Sequence, residues 1–243
     1  MDVPVIELTD IVKSFGPVDV LKGVNLRAYA GKVTALVGDN GAGKTVLVKC
    51  MAGIYLVDSG TISFDGQPVH IRSPKDSAAL GIEFVYQDLA LCDNLDIVQN
   101  MFLGREKRSG LVLDEGGMET LARRTLAGLS VRTVKSVRMP VSALSGGQRQ
   151  TVAIAKAVLW NSKVVVLDEP TAALGVAQTR QVLDLVRRLA DQGLGVVLIS
   201  HNMNDVIEVA DRVCAMYLGR VAADVAMSEL RPTDAEQIMK DFG

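Results

Sequence analysis

The run Gly38-Asp39-Asn40-Gly41-Ala42-Gly43-Lys44-Thr45 sets small residues ahead of a lysine and a threonine. Small residues let consecutive backbone N–H groups face phosphate oxygens, and the positive end of a following helix favours the anion. In such a loop Lys44 reaches the β- and γ-phosphates and Thr45 sets its hydroxyl on Mg²⁺. Further motifs follow in order: Leu144-Ser145-Gly146-Gly147-Gln148, then Val164-Val165-Val166-Leu167-Asp168-Glu169, then Ser200-His201. Asp168 ends an apolar run, so its carboxylate can join a Mg²⁺ shell. Glu169, next to it, is placed to polarise an attacking water as general base; acidic residues after strands also serve as helix caps. Ser145, Gly146, Gly147 and Gln148 open a helical run from Arg149 to Leu159, offering a hydroxyl and bare amides at a helix N-terminus. That makes a second anion site, although serine and glycine are ordinary cap residues. Two phosphate sites and a magnesium carboxylate in one chain point to a nucleotide such as ATP.

The elements that must position these groups are visible as periodicities. Val33 to Val37 reads as a buried strand and Lys44 to Ala52 as the helix after it, with Gly53 where a C-cap glycine falls. Val164 to Leu167 and Gly195 to Ile199 are short continuous apolar runs, as strands buried on both faces require. Between them Val182, Leu183, Val186, Leu189 and Ala190 recur at helical spacing, closed by Gly193. From about Asp88 to Trp160 the pattern is helical with no convincing buried strand: Asp96 and Gln99 form a capping-box pair opening a helix through Leu103, and another spans Met118 to Leu129. Alternating segments at Ile6 to Leu8, Thr61 to Phe64, Val213 to Tyr217 and Val221 to Val225 read as antiparallel strands, the last two joined by a turn at Leu218-Gly219-Arg220.

The expected fold is therefore α/β: a P-loop NTPase core with a mixed, centrally parallel sheet, an antiparallel β subdomain and an inserted helical subdomain. Residues 1–243 read as one ATP-binding domain, with core and β subdomain in 1–87 and 161–243 and the helical insert at about 88–160. Gln87 lies at the junction of sheet and insert, where an amide can touch both the metal shell and the insert; taken alone it is a surface polar residue. His201 closes a strand and can hydrogen-bond a γ-phosphate, although a lone histidine there is usually structural.

Composition narrows the setting. The chain has 243 residues, 49% hydrophobic, and its mean hydropathy is positive. Yet each apolar run, such as Val196 to Ile199, is far shorter than the ~18 residues of a spanning helix. The start, Met1 to Leu8, lacks the basic flank and apolar stretch of a secretory signal and reads as the first strand of a cytoplasmic protein. Cys50, Cys92 and Cys214 have no metal or redox spacing and read as reduced, mostly buried thiols. A net charge of −2 carries no polyanion signature, so no nucleic-acid partner is expected.

Phosphate loop, Gln87, the Leu-Ser-Gly-Gly-Gln signature that contains the tetrad Ser145 to Gln148, Leu167-Asp168-Glu169-Pro170 and His201, in this order and spacing, resemble the ATP-binding cassette (ABC) nucleotide-binding domain over essentially the whole chain. The resemblance implies two cassettes sandwiching two ATP head to tail, so that Ser145, Gly146 and Gly147 contact ATP held by the other protomer's Lys44 and Thr45. It implies catalytic roles for Glu169, His201 and Lys44, and metal contacts from Thr45, Gln87 and Asp168. It also implies that Phe15 stacks on adenine, where residue type alone reads Phe15 as core. Within the family, Gly53-Ile54-Tyr55 with Asp58-Ser59-Gly60, Asn100 to Glu106, Glu169 to Gly175 and Ile199 to Met203 look like monosaccharide importers of the ribose, xylose and fructose type. Many such relatives fuse two cassettes; this chain has length for one, which implies a homodimer.

By the same resemblance the cassette sits at the cytoplasmic face of the membrane, coupled to a separate permease and through it to a solute-binding protein, with sugar selectivity in those partners. Two positions depart from the family pattern. Val46 replaces a second hydroxyl residue that would bond the α-phosphate, and Gly175 replaces an aspartate that would link the two protomers. A soluble ABC-type ATPase of repair or translation shares these motifs but usually carries a coiled coil, a second cassette or a basic surface, none of which is seen here. A phosphotransferase using the same loop would not need the tetrad.

Overall fold

A computed structural model describes residues 3–129, 134 and 136–229; Met1 and Asp2 of the expected first strand, and the end of the expected domain past Glu229, lie outside them. The centre is a six-stranded sheet in the order β12-β11-β3-β10-β9-β6, built from β3 (Val33–Val37), β6 (Ile82–Val85), β9 (Val164–Asp168), β10 (Gly195–Ile199), β11 (Arg212–Tyr217) and β12 (Arg220–Ala226). Neighbours from β11 to β6 run parallel, and β12 closes one edge antiparallel. The antiparallel expectation for Val213 to Tyr217 holds for its pairing with β12 and is corrected on the other side, where β11 pairs parallel with β3. Orientation depends on the partner strand, which period-two alternation does not encode.

Continuous apolar runs are needed because the sheet is covered on both faces. Along β9, Val165 and Leu167 point into a core shared with helices, while Val164 and Val166 point into a second core. The first core is closed by α3 (Ile97–Phe102), α4 (Glu115–Gly128), α5 (Gly146–Val158) and α6 (Val176–Asp191). The second is closed by α1 (Lys44–Met51) and by a four-stranded antiparallel sheet, β2-β1-β4-β5, of β1 (Ile6–Phe15), β2 (Val18–Ala28), β4 (Ser59–Phe64) and β5 (Gln67–Val69). Short α2 (Pro74–Leu80) precedes β6, and α7 (Met203–Val209) follows β10. Cys50 and Cys214 lie in the second core, where burial pushes their thiols up to about 11 and about 12.

Among the described residues between β6 and β9 the regular elements are helical apart from an exposed hairpin of β7 (Arg108–Ser109) and β8 (Val112–Leu113). Asp96 and Gln99 close the capping box at α3 as their spacing predicts, with Gln99 N–H donating to Asp96 Oδ1 at 2.7 Å. Arg138 ties this region together, reaching Glu119 at 2.8 Å, Asp96 at 3.3 Å and Glu115 at 3.5 Å. Helix α4 begins earlier than its apolar pattern suggests, because Asp114 caps it by accepting from Gly117 N–H at 2.9 Å.

Gly53 follows the C-cap of α1 at φ +70°, and Ile54 N–H reaches back to Lys49 O at 2.9 Å. The left-handed position favours glycine, and a Cβ there would lie 2.6 Å from the Ser73 carbonyl. Gly53→Ala is expected to destabilise the fold by about 1–3 kcal/mol, read as a lower midpoint in denaturant; an unchanged midpoint would show that the approach of Ser73 to α1 is not fixed.

Candidate active site

Three adjacent parallel strands deliver the predicted groups to one edge. In register, Ile199 of β10 stands between Leu36 of β3 and Asp168 of β9, so the segments that follow, Gly38 to Lys44, Glu169, and Ser200-His201, leave the sheet at its carboxyl end side by side. This is where open α/β sheets place their ligands.

The loop after β3 takes its shape from glycine. Gly38, Gly41 and Gly43 have φ of +138°, +87° and +103°. A Cβ on Gly38 would run into the Met216 carbonyl of β11, and one on Gly43 would lie 3.0 Å from a Leu21 methyl and 3.3 Å from Val20 O. The loop is therefore wedged between β2 and β11. Gly43 caps α1 without any side-chain bond, which leaves the N–H groups of the first turn for an outside acceptor. Lys44, 9% exposed, curls its ammonium back onto the carbonyls of Gly38 and Asp39. Burial lowers its pKa, opposed by the charges of Glu169, Asp39 and Asp168. Asp39, Asn40 and Thr45 are exposed at the mouth, Ala42 is buried, and Val46 is half-buried against the second core.

Asp168 is half-buried at the end of β9, and burial, then the neighbouring Glu169, raises its pKa. Glu169 itself stands at φ +48°, a left-handed conformation unusual for a side chain this size, and its N–H donates to Ile199 O at 3.0 Å. Its carboxylate Oε1 lies 3.0 Å from Nδ1 of His201, whose ring is 67% exposed. Glutamate and histidine thus meet across two separate loops, a pairing that spacing alone does not reveal.

The tetrad rests on different neighbours. Ser145 caps α5 in a capping box: its Oγ accepts from Gln148 N–H at 3.4 Å and its own N–H donates to Gln148 Oε1 at 2.9 Å. A Cβ on Gly146 would sit 3.3 Å from Leu174, and one on Gly147 would sit 3.1 Å from Gln178. The tetrad therefore leans on the segment opening α6, whereas the phosphate loop leans on Val20, Leu21 and Met216. Gly175 is the N-cap of α6, where Gln178 Oε1 accepts its N–H at 3.5 Å.

Phe15 corrects the residue-type expectation of a core position: it ends β1 with 42% of its surface exposed, its ring edge-on to Tyr55 at a centroid distance of 5.1 Å. Lys13 Nζ stands 5.4 Å from the Phe15 ring centroid. Sequence spacing does not reveal the contact with Tyr55, because nothing in it links a residue after α1 to the end of β1. Gln87 is exposed in the loop after β6.

A phosphate-binding loop, two carboxylates and a histidine on one parallel-sheet edge, with a helical insert between β6 and β9, define an ATP-binding cassette. Residues 21–172 match the ABC transporter family, and the chain belongs to it. It is 43% identical to a fructose import ATP-binding protein of Rhizobium meliloti over 97% of this chain and 94% of that one. A xylose/arabinose import ATP-binding protein of Sulfolobus acidocaldarius is 42% identical over 98% of this chain and 94% of its own. The fold is shared with a nucleotide-free ATP-binding cassette from an ABC transporter, at a TM-score of 0.85 and 24% identity, covering 98% of this chain and 96% of that one.

Proposed function

We propose that this chain is the ATP-hydrolysing subunit of a monosaccharide importer, acting as a pair of identical copies on a separate membrane permease at the cytoplasmic face of the membrane. The observation that carries the reading is the convergence of Gly38 to Thr45, Asp168-Glu169 and His201 at the carboxyl ends of β3, β9 and β10. Similarity to two sugar-import ATP-binding proteins over nearly their full length supports the substrate class. Among the described residues no helix is long and apolar enough to cross a membrane, so in this reading a translocation path lies in partner subunits.

The first-turn N–H groups of α1 and Lys44 hold the β- and γ-phosphates, and Phe15 stacks on the adenine. In place of its bonds to Gly38 and Asp39, the Lys44 ammonium receives phosphate oxygens, which offset the burial that lowers its pKa. Glu169 accepts a proton from the attacking water, while His201 orients that carboxylate and donates to the γ-phosphate. Mg²⁺ fits the donors present. Among the described residues no three His, Cys, Asp or Glu side chains converge on a metal site. Mg²⁺ is typically held by only one or two carboxylates together with substrate phosphates. Asp168 and the Thr45 hydroxyl, with Gln87 nearby in the chain path, would supply the protein's share, and the ion would neutralise charge developing on the phosphates.

In the paired arrangement Ser145, Gly146 and Gly147 close over nucleotide held by the other copy. The segment from about 88 to 160 is the helical subdomain that carries this tetrad and meets the permease, with Gln87 at its hinge. A solute-binding protein acts further out, through the permease. The reading is tested by reconstituting the chain with its permease and binding protein. ATP hydrolysis should rise with one sugar, and Gln87→Ala should weaken that response more than it weakens ATP binding. A complex that responds to nucleic acid or ribosomes and ignores every sugar tried would replace the importer with a soluble ABC-type ATPase.

A further inference from the structure

Asp205, in the first turn of α7, is a buried carboxylate, 5% exposed, for which the hydrolysis scheme above has no use. Its Oδ2 accepts the Thr171 hydroxyl at 2.6 Å. Thr171 lies two residues past Glu169, in a turn closed by Ala172 N–H to Glu169 O at 3.1 Å and Leu174 N–H to Thr171 O at 3.2 Å. Asp205 lies just past His201 in the chain. The bond therefore joins the loop that carries the glutamate to the helix that follows the histidine.

Those two loops meet at the 3.0 Å contact between Glu169 and His201, and Glu169 makes it from a left-handed backbone at φ +48°. A strained residue keeps its conformation only where its surroundings over-determine it. On one side the main chain does so, through Glu169 N–H to Ile199 O. We propose that the Thr171–Asp205 bond supplies the other side, making these a positioning pair that fixes the Glu169 carboxylate against His201. A 2.6 Å bond between a hydroxyl and a carboxyl group in a part-buried site ties its two segments together at short range. Neither residue reaches the phosphate loop in this assignment, so the pair governs the rate of the chemical step and leaves nucleotide affinity alone. The inference rests on the reading of Glu169 as the base.

The test is steady-state ATPase kinetics with magnesium on the full-length chain, with affinity for a fluorescent ATP analogue measured in parallel. Thr171→Val removes the hydroxyl at constant shape and should lower kcat on the order of 10–100-fold, the scale of a misplaced reacting group. KM and analogue affinity should stay within about two-fold of wild type, and Thr171→Ser should restore kcat. Asp205→Asn, a neutral acceptor of the same shape, should fall between wild type and Thr171→Val. The proposal is overturned if Thr171→Val keeps wild-type kcat, or if Thr171→Ser is as slow as Thr171→Val. Should Thr171→Val fail to fold, wild-type kcat in Asp205→Asn overturns it equally. Glu169→Gln run alongside separates the two ideas: wild-type turnover there defeats the base assignment, whereas an inactive Glu169→Gln beside a fully active Thr171→Val defeats only the positioning pair.

Discussion

Replacing Glu169 by glutamine is expected to leave ATP binding intact and to lower hydrolysis by about 10²–10⁴-fold, the usual contribution of a general base. The amide has the shape of the carboxylate, and its oxygen still accepts from Nδ1 of His201 at the position where the two now meet. The left-handed backbone at residue 169 and its bond to Ile199 O are untouched by a change at the end of the side chain. In the proposed scheme, what is lost is the ability to take a proton from water. The phosphate loop keeps its N–H groups and Lys44, so nucleotide is bound but not consumed, and paired cassettes should accumulate in ATP, visible by size-exclusion chromatography. Retention of more than about a tenth of wild-type turnover would remove Glu169 from the role.

The placement of the candidate site residues was legible in the sequence because the patterns that set it are local. A phosphate loop needs glycine where φ is positive, and Gly38, Gly41 and Gly43 stand at such positions. Strands buried on both faces need unbroken apolar runs, and β3, β9 and β10 have them. The capping boxes at Asp96 and Ser145 formed because each depends only on a residue three positions on.

What was not legible depends on distant partners. Strand β2 buries Leu21, Val24, Leu26 and Ala28, and the three-residue step from Leu21 to Val24 breaks the alternation in a stretch where the pairing with β1 shifts register. Helix α2 buries only Ser77, so it has no apolar stripe to announce it. The exposure of Phe15 follows from where β1 ends, and its contact with Tyr55 from how α1 lies against the antiparallel sheet. The Glu169–His201 contact likewise needs β9 beside β10 in register, a pairing that the sequence implies as a sheet but does not place residue by residue.

The second large effect concerns which copy's tetrad serves which phosphate loop. Within one chain the loop rests on Val20, Leu21 and Met216, and the tetrad rests on Leu174 and Gln178. Ser145, which is exposed, and Gln148, which is half-buried, also cap each other. Such a helix start is ready to meet an anion from outside its own protomer. Lys44→Ala should abolish ATP hydrolysis, because in the proposed scheme it removes the buried cation that holds the phosphates. Ser145→Arg should do the same by filling the start of α5, at a folding cost of about 0.5–2 kcal/mol for the lost cap; a thermal melt checks that the chain stays folded. If the sites are shared head to tail, a mixed dimer has one site damaged twice and one built from intact halves. Random pairing at equal amounts makes about half the dimers mixed, so roughly a quarter of the wild-type sites should reappear. ATP hydrolysis measured on the mixture should therefore rise well above that of either variant alone. A mixture that demonstrably forms heterodimers yet hydrolyses no more ATP than its parents would mean that each protomer completes its own site, and the head-to-tail arrangement would fall.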